Sequence, residues 1–91
     1  MRTRFVVRGV VQRVNFRAAA ADQARRLGLT GRIWNRDDGA VECVAEGDAA
    51  AVERYRAWLG RGPLLARVER VEATELDGDP RYREFAIARE R

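Results

Sequence analysis

Residues 4–17 read Arg-Phe-Val-Val-Arg-Gly-Val-Val-Gln-Arg-Val-Asn-Phe-Arg, and they predict how the fold begins. Its first half alternates, since Phe5 and Val7 share one side while Arg4, Val6 and Arg8 share the other, which is typical of a strand. Gly9 is expected to end that strand. Phe16 then begins a set of apolar residues at helical spacing, so a strand leads into a helix within a few residues.

The rest of the chain continues this pattern of strands and helices. We expect a strand over 4–8, a helix between the N-cap Asn15 and Gly28, strands over 31–35 and 40–46, a helix between the N-cap Asp48 and residues 60–63, a strand over 68–76 and a short strand over 84–88. The order β-α-β-β-α-β is the split βαβ, or ferredoxin-like, arrangement of the α+β class. One domain over residues 1–91 is therefore expected, with an antiparallel sheet, two helices on one face and a short fifth strand.

The sheet face without helices is expected to carry charges. Arg4 and Arg8 of the first strand would lie beside Glu42 and Glu46 of the third strand. Exposed ion pairs of this kind contribute about 0–1 kcal/mol each. Cys43 alternates with these glutamates and is expected in the core.

Composition excludes several kinds of chemistry. The chain has no histidine and one cysteine, which argues against a zinc or iron–sulfur site and removes the usual general base. All 18 basic residues are arginine, so a lysine Schiff base and a P-loop lysine are excluded. The net charge of +4 favours an anionic ligand. We expect neither a metal nor a cofactor.

The sequence shows no pattern typical of a membrane-spanning helix or a secretory signal peptide. No apolar run approaches the roughly 20 residues of a membrane helix, and residues 1–8 lack the apolar stretch of a signal peptide. A single cysteine fits a reducing compartment. A cytoplasmic monomer is the expectation.

The junction between the first strand and the first helix is the candidate binding segment. It comprises Gly9, Val10, Val11, Gln12, Arg13, Val14, Asn15 and Phe16. N–H groups at a helix N-terminus lack intrahelical partners and can converge on an anion, which the helix dipole also favours. Arg17, in the first turn, can add a two-pronged donor. Taken alone, the segment equally fits an ordinary connection with a solvated arginine.

This segment resembles the first signature of the acylphosphatase family, Gly-x-Val-Gln-Gly-Val-x-Phe-Arg. The spacing of the family's second signature is matched by Gly31, Asn35, Gly39, Val41 and Gly47, and the end of its second helix by Trp58-Leu59 and Gly62-Pro63. The resemblance spans roughly residues 5–72. It implies the split βαβ fold and the hydrolysis of acyl phosphates to carboxylate and phosphate.

The resemblance also implies roles for individual residues. Arg17 would bind the phosphoryl group, Asn35 would hold the attacking water, and the amides between Gly9 and Phe16 would form a phosphate cradle. Gln12 is expected to support the loop rather than to react. The implied partners are a small-molecule acyl phosphate and inorganic phosphate, without a metal, a cofactor or a covalent intermediate.

Two places depart from the family pattern. Arg13 stands where the family has glycine, and an arginine with left-handed backbone costs about 1–2 kcal/mol. Arg32 and Trp34 are effectively exchanged relative to the usual order. They share the strand face opposite Asn35, where an exposed role is expected.

Two alternative functions remain at this point. Because of Arg13, a catalytically weak or inactive relative that only binds phosphate stays open. A nucleic-acid-binding module of the same fold agrees with the isoelectric point of about 10.5. However, the third strand, 40–46, lacks the stacking aromatics of RNA-binding sheets and carries glutamates instead. Nucleic acid is therefore not the expected partner.

Overall fold

The computed structural model describes residues 1–89 of the chain. Its elements are β1 (Arg2–Val10), α1 (Phe16–Arg26), β2 (Thr30–Asn35), β3 (Val41–Glu46), α2 (Ala49–Arg61), β4 (Arg67–Leu76) and β5 (Phe85–Ile87). The strands form one sheet in the order β4-β1-β3-β2-β5. Both helices pack on the same face of this sheet. The predicted ferredoxin-like arrangement is confirmed.

Strand pairing adds two features to that prediction. The four long strands pair antiparallel, whereas β5 runs parallel to β2, so the whole sheet is mixed. β1 does not end at Gly9, as expected, but continues to Val10, because a bulge between Arg8 and Gly9 lets the pairing with β4 resume. Gly9 has a φ of 134°, and a Cβ there would clash with the carbonyl oxygen of Arg67. Only glycine fits this position.

The apolar core lies between the sheet and the helices. Its fully buried members include the residues whose spacing predicted the elements: Phe5, Val7, Phe16, Ala20, Ala24, Cys43, Val52, Tyr55 and Leu59. The Tyr55 ring lies 6.2 Å from that of Phe5 and 5.8 Å from that of Phe85. Its hydroxyl donates to the Ala20 carbonyl at 3.1 Å. Tyr55 thus joins α2 to α1 and to two strands.

The helices begin at the predicted residues, but their caps work differently. α1 follows Asn15 and α2 follows Asp48, yet neither side chain makes a capping hydrogen bond to a described residue. Asn15 instead has a φ of 64°, in the left-handed region. Neither helix has the length and apolar character that a membrane span requires.

The opposite face of the sheet buries a carboxylate. Glu46 is 1% exposed and accepts hydrogen bonds from Arg2 Nε at 2.7 Å and from the main-chain N–H groups of Arg81 and Tyr82 at 3.0 Å. The segment 77–84 between β4 and β5 brings these two N–H groups to the sheet. Burial alone would raise the pKa of Glu46, but Arg2 and the two N–H groups hold it below its usual value.

The ion pairs on this face differ from the expected ones. Arg8 pairs with Glu72 at 3.0 Å and with Asp38 at 3.2 Å, while Glu42 pairs with Arg36 at 2.9 Å. The expected pairing of the arginines at 4 and 8 with the third-strand glutamates is therefore wrong. The antiparallel register explains the difference, because it sets residue 2, not 4 or 8, opposite residue 46, and a valine opposite residue 42.

A small apolar cluster on this face corrects one further expectation. Trp34 is 6% exposed and packs with Val44 and Ala88, and Leu76 and Tyr82 lie against them. The expected exposed role of Trp34 is wrong, because this face is covered around it by Tyr82 and the end of β4.

Candidate active site

A cavity of about 170 Å³ opens where the loop between β1 and α1 meets the end of β2. It is lined by Val11, Arg13, Asn15, Phe16, Arg17, Ala18, Asn35 and Ile87. The two predicted catalytic residues thus share one cavity with four of the predicted loop residues. The other predicted loop residues, Gly9, Val10, Gln12 and Val14, are not part of this lining. The first two of these belong to β1.

The main chain of this loop is rich in available donors. From Val11 to Ala18, no main-chain N–H donates a hydrogen bond to any residue between 1 and 89. The first turn of a helix has no earlier carbonyls to accept such bonds. Left-handed residues within a loop also turn successive N–H groups toward a common side, which favours an anion. The helix dipole adds positive potential at the same place.

Two residues of the loop have the left-handed backbone that suits glycine. Arg13 has a φ of 65° and Asn15 has a φ of 64°. Asparagine tolerates this region, whereas an arginine there costs about 1–2 kcal/mol. The loop therefore accepts strain at Arg13 in place of the family's glycine. Such strain is often concentrated at functional sites.

Gln12 fastens the loop to the neighbouring hairpin. Its Nε2 donates to the carbonyl oxygens of Arg36 at 2.8 Å and Ala40 at 2.9 Å. Both carbonyls belong to the turn that follows Asn35 at the end of β2. This agrees with the supporting role predicted for Gln12. It also fixes the loop relative to Asn35.

Arg17 is half-buried in the first turn of α1. Its Nη1 donates to the carbonyl oxygen of Ala88 at 3.3 Å. Within the described part of the chain, the rest of its guanidinium makes no hydrogen bond or ion pair. One nitrogen of the guanidinium is therefore hydrogen-bonded, and the remaining N–H donors are available to a ligand in the cavity. A guanidinium fork suits two phosphate oxygens at once.

Asn35 presents an unusual polar atom to the site. Its Oδ1 is buried and has no hydrogen-bond partner among residues 1–89. Leaving such an acceptor unpaired costs about 1–3 kcal/mol. An acceptor at this cavity wall can take an O–H from a water or a ligand. Asn35 is the last residue of β2, and its side chain shares the helix-covered face with Ile33.

The C-terminal strand contributes to the site, which the sequence reasoning missed. Ile87 lines the cavity, and Ala88 accepts the hydrogen bond from Arg17. The Ala88 N–H donates to the Ile33 carbonyl at 2.8 Å, which holds this segment against β2. No sequence signal could reveal the role of Ala88, because it acts through its carbonyl oxygen rather than its side chain.

The charges around the cavity are of one sign. Both ionisable residues in its lining, Arg13 and Arg17, are arginines. Among the described residues, no group of three or more histidine, cysteine, aspartate or glutamate side chains is arranged to hold a metal ion. The arrangement therefore suits an anion that is bound by N–H donors.

Comparisons with known proteins agree on one family. A sequence model of the acylphosphatase family, described as "Acylphosphatase", matches residues 3–87. The acylphosphatase of Methylococcus capsulatus is 47% identical over 89 residues, covering 98% of this chain and 97% of the relative. That of Aeropyrum pernix is 49% identical over 90 residues, covering 96% and 87%.

Solved structures lead to the same result. The acylphosphatase of Bacillus subtilis superposes with a TM-score of 0.92 at 32% identity, covering 96% of this chain and 97% of that one. The acylphosphatase of Coxiella burnetii gives a TM-score of 0.91 at 33% identity, covering 96% and 90%. The five-stranded sheet with two helices on one face defines an α+β domain of the ferredoxin-like arrangement. Within that class, the chain belongs to the acylphosphatase family of enzymes.

Proposed function

We propose that this protein hydrolyses acyl phosphates to a carboxylate and inorganic phosphate, with Arg17 and the loop between β1 and α1 holding the phosphoryl group. Asn35 holds the water that attacks in line. One observation carries the proposal: Arg17, Asn35 and several unpaired main-chain donors meet around a single small cavity.

The donors around the cavity suit the charge of the transition state. A carboxyl phosphate has a weakly basic leaving group, so bond cleavage needs little acid assistance. Phosphoryl transfer passes through a loose transition state with charge spread over the phosphoryl oxygens. N–H groups and a guanidinium that are already in place stabilise this charge without rearranging.

Asn35 acts by position rather than by basicity. Its unpaired Oδ1 accepts an O–H of the water, which aligns the water oxygen with phosphorus and reduces the entropic part of the barrier. The new P–O bond forms as the bond to the carboxyl oxygen breaks, and the carboxylate leaves with the electron pair. A phosphoryl oxygen of the substrate takes the proton from the water. The cavity lining offers no aspartate or glutamate among the described residues for this step.

We extend the proposal to the setting of the enzyme. It works as one domain over residues 1–91, as a cytoplasmic monomer, with no metal or cofactor. Its partners are the acyl phosphate and inorganic phosphate, not nucleic acid or a membrane. A chain without histidine and with one buried cysteine, Cys43, has few ligands for a transition metal. Burial raises the pKa of the Cys43 thiol to about 12, which also keeps it unreactive.

The test is the hydrolysis of benzoyl phosphate in the presence of a chelator. We expect Arg17→Ala and Asn35→Ala each to lower kcat/KM by at least about 100-fold, the usual effect of removing a preorganised donor or positioning group. Arg56→Ala, an exposed arginine of α2, is the matched control and should leave the rate unchanged.

Binding of inorganic phosphate separates the two roles. Asn35→Ala should still bind phosphate, whereas Arg17→Ala should bind it weakly. Full activity in Arg17→Ala would overturn the proposal. Phosphate binding without hydrolysis by the unaltered protein would favour an inactive relative. A salt-dependent shift of RNA without hydrolysis would favour a nucleic-acid-binding module.

A further inference from the structure

Two arginines of α1 hold the edge strand β5, one near each of its ends. Arg17 Nη1 donates to the carbonyl oxygen of Ala88 at 3.3 Å. Arg25 donates to the carbonyl oxygen of Phe85 through Nη2 at 2.8 Å and through Nε at 3.1 Å. Arg17 lines the cavity of the candidate active site, and Arg25 does not. The helix therefore makes the same kind of contact twice, once at the site and once away from it.

The spacing of the two arginines matches the length of the segment that they contact. Arg17 and Arg25 are eight residues apart on α1, which corresponds to about 12 Å in a helix. Phe85 and Ala88 are three residues apart, which corresponds to about 10 Å in an extended chain. The start of α1 contacts the end of the β5 segment, and the end of α1 contacts its start. Both contacts can therefore form at once.

β5 has few other interactions that fix its position. It has three residues and pairs with β2 at the edge of the described sheet. The buried Phe85 ring anchors its start, and the Ala88 N–H donates to the Ile33 carbonyl at 2.8 Å beyond its end. Because successive main-chain groups of a strand point to opposite sides, the Phe85 carbonyl points away from β2. Arg25 binds β5 from this outer side.

The Ala88 carbonyl restrains the Arg17 guanidinium. An arginine side chain has several rotatable bonds, and ordering it when a ligand binds costs free energy. The hydrogen bond from Arg17 Nη1 to Ala88 orders the group in advance. Donors that are already in place stabilise a developing charge best. A displacement of β5 would remove this restraint from Arg17.

We propose that Arg25 is a positioning residue for acyl phosphate hydrolysis. It holds the Phe85 carbonyl, and β5 then presents the Ala88 carbonyl to Arg17. Since Arg25 does not line the cavity, its effect reaches the phosphoryl group through Arg17. The inference rests on the proposed function, because that function assigns phosphoryl binding to Arg17.

The test compares Arg25→Met with the unaltered protein. Methionine keeps an unbranched side chain and a high helix propensity but has no donor. We expect kcat/KM for benzoyl phosphate to fall about three- to tenfold and the Kd of inorganic phosphate to rise by a similar factor, because Arg17 loses its restraint but keeps its charge. Arg25→Lys should recover part of both losses, since its ammonium can still donate to the Phe85 carbonyl.

A matched control separates positioning from charge. Arg26→Met removes the same charge from the next residue, whose side chain pairs with Asp22 of the same helix at 3.1 Å. This variant should change neither phosphate affinity nor hydrolysis. The losses in Arg25→Met should also persist in about 1 M salt, where the screening length falls to about 3 Å.

A double variant tests the route through Arg17. Arg17→Ala already lacks the guanidinium that β5 positions. Adding Arg25→Met to it should therefore lower kcat/KM less than about twofold further, because residues that act through one contact are not additive.

The inference is overturned if Arg25→Met binds phosphate and hydrolyses benzoyl phosphate normally, or if Arg26→Met shows an equal loss. A full further loss in the Arg17→Ala background would also contradict it. If the unaltered protein does not hydrolyse benzoyl phosphate, the proposed function is wrong. The phosphate affinity of Arg25→Met then still decides whether Arg25 positions Arg17.

Discussion

The two faces of the sheet are buried in different ways. The helix-covered face is mainly apolar; of its buried hydroxyls, that of Tyr55 donates to the Ala20 carbonyl, and that of Thr3 has no partner among the described residues. The opposite face is covered partly by the segment 77–84, and there Glu46 and Arg2 are buried as an ion pair. Apolar burial depends mainly on area, whereas a buried charge is tolerated only when its partners are all in place. On the helix-covered face, the loss of unfolding free energy should therefore scale with the apolar area that a mutation removes. On the opposite face, removing a single partner of the buried ion pair should cause a large loss.

Removing the buried carboxylate should have the largest effect. We expect Glu46→Ala to lower the free energy of unfolding by about 3–5 kcal/mol, because it leaves the Nε–H of the buried Arg2 and two main-chain N–H groups without an acceptor. Urea denaturation measures this loss. Arg2→Leu/Glu46→Leu removes both charges and should recover part of it. A loss below about 1 kcal/mol for Glu46→Ala would show that the two faces do not differ in this way.

Acid should weaken the same face. The pKa of Glu46 is lower in the folded protein than its usual 4.5, so its stabilising effect is complete above pH 4.5 and is lost as the pH falls. The difference in unfolding free energy between the unaltered protein and Glu46→Gln should therefore shrink below pH 4.5. Denaturation curves at several pH values test this. Asp38 should titrate later, because the Ala40 N–H and Arg36 lower its pKa to about 2. A constant difference down to pH 2 would contradict the assignment.

Mutations of two neighbouring valines of β1 allow a direct comparison of the two sheet faces. Val7 is fully buried under the helices, and Val6 is 7% exposed on the other face. Val7→Ala should cost about 2 kcal/mol of unfolding free energy, since lost transfer energy and a cavity both contribute. Val6→Ala should cost about 1 kcal/mol, because its surroundings can collapse or admit water. Equal losses in thermal and urea unfolding would contradict the contrast.

A substitution in the strained loop at the active site should raise the stability of the protein rather than lower it. Arg13→Gly relieves a left-handed arginine at φ 65° and should raise the free energy of unfolding by up to about 1 kcal/mol. We expect equal or better hydrolysis of benzoyl phosphate. A large loss of activity would show that the Arg13 side chain takes part in binding the anion. Asn15→Gly is the matched control, because asparagine tolerates the same backbone.

An exposed ion pair on the polar face should have the smallest effect. The Glu72 side chain is 39% exposed and pairs with Arg8 at 3.0 Å. Glu72→Gln should cost less than about 1 kcal/mol, and less still in high salt. A loss as large as that of Glu46→Ala would mean that burial is not what separates these carboxylates.

Local patterns were sufficient to predict much of the fold. The alternation around Phe5 and Val7 and the helical spacing of Val52, Tyr55 and Leu59 led to the right elements and the right core. The two family signatures predicted Arg17 and Asn35 as residues of one site, and both line the same cavity in the structure. Spacing works in these cases because it reports which side of an element is buried.

Contacts between distant parts of the chain were harder to predict. Exposed pairs were expected for Glu46, but its partners lie at residue 2 and at residues 81–82, which only the register and the path of 77–84 bring together. The contact between Ala88 and Arg17 was not predicted, because it involves the main-chain carbonyl oxygen of Ala88, which every residue has.

The amino-acid sequence encodes the order of strands and helices, the apolar core and the donor-rich loop that ends at Arg17. These features depend on periodicity and on neighbouring residues, which the chain carries locally. Only the packing of distant segments places β5 parallel to β2, buries Glu46 and brings the Ala88 carbonyl to Arg17. The reason is that burial and charge pairing depend on which distant segment covers a surface, and no local pattern records that choice.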